Sequence, residues 1–123
     1  MDISDIRLYC SQKPGSWEDF PFDETTLVIK TGSKMYALIS LTNTPVKINL
    51  KCDPDRSQLL RRDYPSITEG YHMNKRHWNT VTTSDKSSHD VSDNLLKELI
   101  DHSYNLVFSS LTKKEKLTIT DIQ

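Results

Sequence analysis

Residues 46–52 alternate strictly between apolar and polar side chains, and this alternation constrains the fold more than any other segment. The apolar members are Val46, Ile48, Leu50 and Cys52, and the polar members between them are Lys47, Asn49 and Lys51. A period of two is the period of a β-strand with one buried face. Slipping the register by one residue would bury two lysines, so the apolar set must face the core. The other face of the predicted strand is a cationic stripe.

The segments before this strand predict a helix and a β-hairpin. Apolar residues recur at spacings of three and four over residues 2–12, as in a short amphipathic helix, and Pro14-Gly15 ends it. Two alternating segments flank Thr31-Gly32-Ser33, which has the composition of a turn. Their apolar members are Leu27 and Ile29 in the first segment and Met35, Ala37, Ile39 and Leu41 in the second. We therefore expect these two segments to pair as a hairpin beside the strand at residues 46–52.

The segments after the strand predict a helix and then another strand. Asp53 followed by Pro54 is a typical helix start, because the carboxylate caps free N–H groups and proline fits the first helical position. We expect Leu59 and Leu60 to form the apolar side of this helix. A further strand is predicted near residues 77–83, which are rich in β-branched and aromatic residues.

A long amphipathic helix is predicted after a polar loop at residues 84–89, with Asp90 as its N-cap. The apolar face of this helix is wide enough to cover a sheet. It comprises Val91, Leu95, Leu96, Leu99, Ile100, Tyr104, Val107, Phe108 and Leu111. The chain is thus predicted to form a single α+β domain over residues 1–111. Residues 112–123 are predicted to be a solvated tail, with an added edge strand as the alternative because Leu117, Ile119 and Ile122 alternate with polar residues.

Composition excludes several classes of protein. The chain is 35% hydrophobic and 27% charged, as in soluble globular domains, and has no apolar run long enough to cross a bilayer. Its start is acidic and lacks the layout of a secretion signal, so we expect a cytoplasmic location and no membrane partner. Cys10 and Cys52 have neither disulfide-scaffold nor zinc-site spacing. We expect both to be small buried residues, with no metal and no cofactor.

Positive charge is concentrated in the middle of the chain. The net charge is −1, yet residues 46–83 hold seven cations against four carboxylates, whereas both ends are acidic. Any basic surface must therefore come from the middle segments, which include Arg61 and Arg62 in the last turn of the second predicted helix. The two arginines either complement the negative end of the helix dipole or bind a ligand.

The segment at residues 70–81 is the predicted working surface. It holds two histidines, two adjacent cations, two asparagines and two aromatic residues in twelve positions. Lys75 and Arg76 suit phosphate contact, and Trp78 suits either base stacking or the core. Asn74 and Asn79 either contact base edges or hold a turn. The same mixture of residues also suits the clamping of a polar anionic ligand.

Several ordered blocks of the sequence carry a family resemblance. The blocks are Lys13-Pro14-Gly15, Glu18-Asp19-Phe20-Pro21-Phe22, Lys34-Met35-Tyr36-Ala37-Leu38, Leu50-Lys51-Cys52-Asp53-Pro54, Tyr64-Pro65, residues 70–79 and residues 99–104. Over about residues 5–111 the chain resembles the MmcQ/YjbR family. The resemblance implies a CyaY-like α+β fold of the double-wing type, an antiparallel sheet with helices packed on one face, and a role in DNA binding. Asp2 and Asp5 are too few to match the acidic ridge of the related frataxins, so iron delivery is not implied.

Two functional hypotheses follow, and neither is catalytic, because the chain has no Gly-rich phosphate loop, nucleophilic serine elbow or helical pair of metal-binding histidines. The first is DNA binding by a monomer through Lys47, Lys51, Arg61, Lys75, Arg76, Trp78 and Asn79. The second is a small-ligand or protein-interaction module that uses a pocket around His72, Asn74, His77 and Trp78. The salt dependence of affinity distinguishes the two hypotheses, because DNA binding weakens steeply as the salt concentration rises and pocket binding does not.

Overall fold

A computed structural model describes residues 1–70, 73–83 and 91–122, the last two residues by their backbone only. Within these ranges the chain forms four helices and six strands. They are α1 (Ile3–Ser11), β1 (Ser16–Asp19), β2 (Thr26–Thr31), β3 (Lys34–Ser40), β4 (Lys47–Lys51), α2 (Pro54–Asp63), β5 (Ile67–Glu69), β6 (Trp78–Thr82), α3 (Asp93–Ser109) and α4 (Lys113–Ile122). The strands form one antiparallel sheet in the order β1-β2-β3-β4-β6-β5. The predicted α+β class, an antiparallel sheet with helices on one face, is confirmed.

The orientation predicted for β4 is also confirmed. Ile48, Leu50 and Cys52 are buried in the core against α1, α2 and α3, and Val46 is partly buried against the same cluster. Lys47 is exposed on the opposite face of the sheet. This face, which α1, α2 and α3 do not cover, is called the outer face below.

The predicted β2–β3 hairpin forms, and it contains a bulge. Gly32 in the turn has a φ of +59°, a left-handed conformation that glycine adopts without steric cost. Ile29 pairs with Ala37 and Lys30 with Met35, so Tyr36 is an extra residue on β3. The bulge turns Tyr36 into the core, where it is fully buried, and leaves Met35 packed on the outer face.

Helix α3 is the main cover of the core. Its buried side chains are Leu96, Leu99, Ile100, Ser103, Tyr104 and Val107. The Ser103 hydroxyl accepts the N–H of Lys51 at 2.9 Å and donates to the carbonyl oxygen of Tyr36 at 2.6 Å. This single side chain therefore joins α3 to β4 and satisfies the carbonyl group freed at the bulge, which would otherwise be costly to bury.

Two details of the predicted helices are wrong. The hydroxyl of Ser92 accepts the N–H of Leu95 at 3.0 Å, so α3 begins after Ser92; Asp90 and the loop at residues 84–89 lie outside the described residues. In α2, Leu60 is buried but Leu59 is 51% exposed. Adjacent residues on a helix point about 100° apart, and Leu60 shares its inward side with Ser57, three residues earlier.

The tail is helical, so the alternative of an added edge strand is wrong. At the start of α4, Thr112 accepts the N–H of Glu115 at 3.1 Å, and the Glu115 side chain accepts the N–H of Thr112 at 3.4 Å. This reciprocal pair is a capping box, a helix signal visible in the sequence Thr112-Lys113-Lys114-Glu115. Ile119 of α4 is buried against Gly15 and lies near Gly32, so the helix closes the end of the hairpin.

Candidate ligand-binding cleft

The outer face carries a row of side chains that crosses the sheet from β2 to β5. Strand register places Val28, Leu38, Asn49, Thr80 and Thr68 side by side in this row. The row is apolar on β2 and β3 and polar on β4, β6 and β5. The outer face is therefore amphipathic, whereas the face that packs against the helices is mainly apolar.

A cleft of about 1030 Å³ opens on this face. Its apolar lining consists of Phe22, Met35, Leu38, Met73 and Trp78. Trp78 is 8% exposed and forms a second small hydrophobic cluster with Val28 and Leu38. Trp78 is thus a packed residue, which is one of the two roles that the sequence indicated. It also lines the cleft.

Most of the remaining lining is polar but uncharged. It consists of Thr26, Ser40, Asn43, Asn49, Thr68, Asn74 and Thr80, with Lys47 and Glu69 as the charged residues among the described lining. The Thr80 hydroxyl donates to Oδ1 of Asn49 at 2.6 Å. The cleft therefore combines apolar contact area with several amide and hydroxyl groups, an arrangement typical of ligand sites.

A tight turn at residues 74–77 borders the cleft. Oδ1 of Asn74 accepts the N–H of Arg76 at 3.0 Å, and the Asn74 carbonyl oxygen accepts the N–H groups of His77 at 3.1 Å and Trp78 at 3.0 Å. Asn74 thus holds the turn, one of the two roles its sequence suggested. The side chains of Lys75 and Arg76 are exposed, and Nζ of Lys75 lies 3.8 Å from a carboxylate oxygen of Glu69.

Arg61 supports the turn from the helix-facing side of the sheet. Its Nε donates to Oδ1 of Asn79 at 2.7 Å, and its Nη2 donates to the carbonyl oxygens of Lys75 and Trp78. Asn79 is 3% exposed, and its amide also donates to the hydroxyl of Ser57 at 3.3 Å. Strand alternation places Asn79 in the interior, and these contacts give Arg61 a structural role. Contact of either residue with nucleic acid stays a prediction.

The structure divides the other predicted site residues. Lys47 and Lys51 both lie on the outer face, Lys51 beside Trp78 in the register, and Lys47 lines the cleft. His77 is half-buried, its carbonyl oxygen accepts the N–H of Cys52 at 2.8 Å, and it does not line the cleft. His72 lies outside the described residues. Of the four residues predicted to form a pocket, His72, Asn74, His77 and Trp78, the structure places Asn74 and Trp78 in the lining of the cleft.

Both thiols are buried, as predicted. Burial raises the pKa of Cys10 to about 11 and also raises the pKa of Cys52, so both are protonated at neutral pH. Within residues 1–70, 73–83 and 91–120, no cluster of three or more His, Cys, Asp or Glu side chains is arranged to hold a metal ion. None of the described helices is long and apolar enough to cross a membrane.

None of the four hairpin residues that line the cleft, Thr26, Met35, Leu38 and Ser40, is among the site residues predicted from the sequence. Alternation predicts that Met35 and Ala37 share one apolar face, whereas the bulge at Tyr36 separates them. The available signal was continuous rather than alternating hydrophobicity, at residues 27–29 and 37–39. Such runs indicate strands that are buried on both faces.

The chain is similar to known proteins in sequence and in fold. The YjbR family model matches residues 11–106. The chain belongs to the YjbR family. It is 41% identical over 97 residues to the uncharacterized protein YbdF of Escherichia coli O157:H7, covering 79% of this chain and 76% of YbdF. It is 25% identical over 122 residues to the uncharacterized protein YjbR of Escherichia coli strain K12, covering 99% of this chain and all of the relative.

A solved crystal structure of a related protein has the same architecture. The crystal structure of Deinococcus radiodurans protein DR2400 superimposes with a TM-score of 0.86 at 43% sequence identity. The match covers 96% of this chain and 87% of that protein. Family membership and fold, which the sequence blocks indicated, are thus confirmed.

Proposed function

We propose that this protein binds a small organic ligand in the outer-face cleft and does not catalyse a reaction. The observation that carries the proposal is the cleft of about 1030 Å³ on an open sheet face, with an apolar lining that includes Leu38 and Trp78 and a mainly uncharged polar remainder. Ligand sites have this composition and volumes of about 300–1,000 Å³. A concave site with few charges favours a compact ligand over a long polyanion.

The residue chemistry supports binding rather than catalysis. The two thiols are buried and protonated, so neither is an activated nucleophile. His102 accepts the N–H of Asp53 through Nε2 at 3.1 Å, which uses its basic nitrogen to fix the start of α2. Burial and the nearby Arg56 lower the pKa of His102, so this structural role is held by the neutral ring at physiological pH.

Filling the cleft is expected to abolish ligand binding. Ser40 on β3 is partly exposed and lines the cleft, so Ser40→Phe places a ring in the volume that the ligand would occupy. The probe is the neutral dye N-phenyl-1-naphthylamine, whose fluorescence rises in an apolar site. We expect saturable binding to the wild type and a loss of about tenfold or more in affinity, equivalent to about 1.4 kcal/mol, for the variant.

The matched control is Asn105→Phe, which adds the same ring at an exposed position on α3. This variant should bind the dye like the wild type, and circular dichroism should show that both variants are folded. Equal dye affinity in the wild type and Ser40→Phe would reject the cleft as the binding site.

DNA binding is the second candidate, and a specific observation favours it. Lys47 and Lys51 extend from the same outer face, and the exposed Lys75 and Arg76 lie on the turn beside it. Such a set suits contact with backbone phosphates. Glu69, 3.8 Å from Lys75, reduces the local positive charge, which makes this the weaker of the two proposals.

Lys75→Ala and Arg76→Ala are each expected to weaken binding to all DNA sequences alike. Each substitution should also reduce the slope of log affinity against log salt by about one, because one phosphate contact is lost. Fluorescence anisotropy with labelled duplex and single-stranded DNA at several salt concentrations measures both effects. Lys114→Ala, at an exposed position on α4, serves as the control. Wild-type protein without salt-sensitive affinity for either DNA form would exclude this function.

A further inference from the structure

Two hydrogen-bond donors lie next to each other in the cleft. Lys47 and Asn49 are two residues apart on β4 and both line the cleft. Alternate residues of a strand share a face and lie about 6.6 Å apart along it, at about 3.3 Å per residue. The two side chains are thus close enough to contact the same small group on a ligand.

The amide of Asn49 is oriented by its neighbour on β6. The Thr80 hydroxyl donates to Oδ1 of Asn49 at 2.6 Å, so the amide oxygen is occupied and the NH₂ group is the end left to interact. That NH₂ group donates to no side chain or backbone group among residues 1–70, 73–83 and 91–120. Asn49 therefore offers the cleft a donor with a fixed direction.

The charge on Lys47 is not neutralised within the described part of the chain. No carboxylate oxygen of the described side chains lies within 4.0 Å of its Nζ. Glu69, the other charged lining residue, lies 3.8 Å from Lys75 and 4.0 Å from Arg61. In the strand register Lys47 lies beside Thr82, and Glu69 lies beside Asn79. Thr82 and Asn79 are three residues, or about 10 Å, apart along β6, so the two charged lining residues are well separated.

We propose that the ligand of the cleft is an organic monoanion, with a carboxylate-like head held between Lys47 and Asn49 and an apolar body over Leu38 and Trp78. The inference rests on the proposed ligand-binding function. One ammonium group and one amide donor match a head with a single negative charge. Leu38 on β3 and Trp78 on β6 then contact the body of the same molecule.

The test compares two dyes that share an aromatic body. The anionic dye is 8-anilino-1-naphthalenesulfonate, whose sulfonate stands in for the carboxylate head, and the neutral dye is N-phenyl-1-naphthylamine. In Lys47→Gln, affinity for the anionic dye should fall about five- to tenfold, as expected for one partly exposed charge-assisted hydrogen bond, and affinity for the neutral dye should not change. Asn49→Asp should produce the same difference between the dyes. Lys114→Gln on α4 is the control.

The outcomes separate this inference from the proposed function. If Ser40→Phe removes binding of both dyes while Lys47→Gln leaves the affinity for the anionic dye unchanged, the cleft binds ligands, but the proposal that the ligand has an anionic head is wrong. If Ser40→Phe changes the affinity of neither dye, the cleft is not the site and both proposals fail. A selective loss of the anionic dye in Lys47→Gln, with normal circular dichroism, supports the inference.

Discussion

Replacing Leu99 by alanine is expected to lower the free energy of unfolding by about 2 to 5 kcal/mol, the usual range for removing a large side chain from a packed core. Leu99 is 4% exposed and lies in the central stretch of α3, beside the fully buried Ile100. The cavity would form between α3 and the sheet, where neighbouring strands hold the backbone and limit collapse. Urea denaturation with a constant m-value measures the change.

The control for Leu99→Ala is Asn105→Ala, which shortens an exposed side chain on the same helix. That variant should unfold at nearly the wild-type urea concentration, since surface substitutions usually have small effects. A midpoint for Leu99→Ala that equals the wild-type midpoint would contradict the placement of this helix face against the sheet.

Replacing Arg61 by methionine is expected to cost about 1 to 3 kcal/mol of stability, because the buried side-chain oxygen of Asn79 loses its donor. The guanidinium group donates hydrogen bonds to the amide oxygen of Asn79 and to the carbonyl oxygens of Lys75 and Trp78. Methionine keeps much of the aliphatic stem, so the loss reports the hydrogen bonds rather than the packing. Hydrogen exchange should also show faster opening of the turn at residues 74–77.

Arg62→Met is the matched control for Arg61→Met. Arg62 is adjacent in the sequence, but its side chain is exposed and pairs with the neighbouring Asp63. We expect its denaturation midpoint to remain that of the wild type. If Arg61→Met were as stable as the wild type but bound DNA more weakly, Arg61 would be a nucleic-acid contact, as first predicted, and not a structural support.

The candidate site shows where sequence reasoning reached its limit. The density of polar and cationic residues at residues 70–81 predicts one functional segment, but its described members take separate roles. Asn74 holds a turn, Asn79 is buried beneath α2, and Trp78 packs on the outer face. Residues that are adjacent in a strand point to opposite faces, so density along the chain does not mean proximity on one surface.

The sequence by itself determined the local elements and their orientation. Alternation from Val46 to Cys52 specified which face of β4 is buried, and Asp53-Pro54 specified the start of α2, because both signals act over a few neighbouring residues. The edge strands β1 and β5 were not predicted, since segments of four and three residues carry too little periodicity and depend on pairing with their neighbours.

Only the tertiary structure decided the cleft. Its lining comes from β2 to β6 and the loops beside them, and the side-by-side placement of Leu38, Asn49 and Thr80 follows from strand register. The bulge that turns Tyr36 inward and leaves Met35 outside is a property of two paired strands, not of either strand alone. Register and bulges are set by contacts between segments distant in the chain, and a periodicity within one segment contains no information about them.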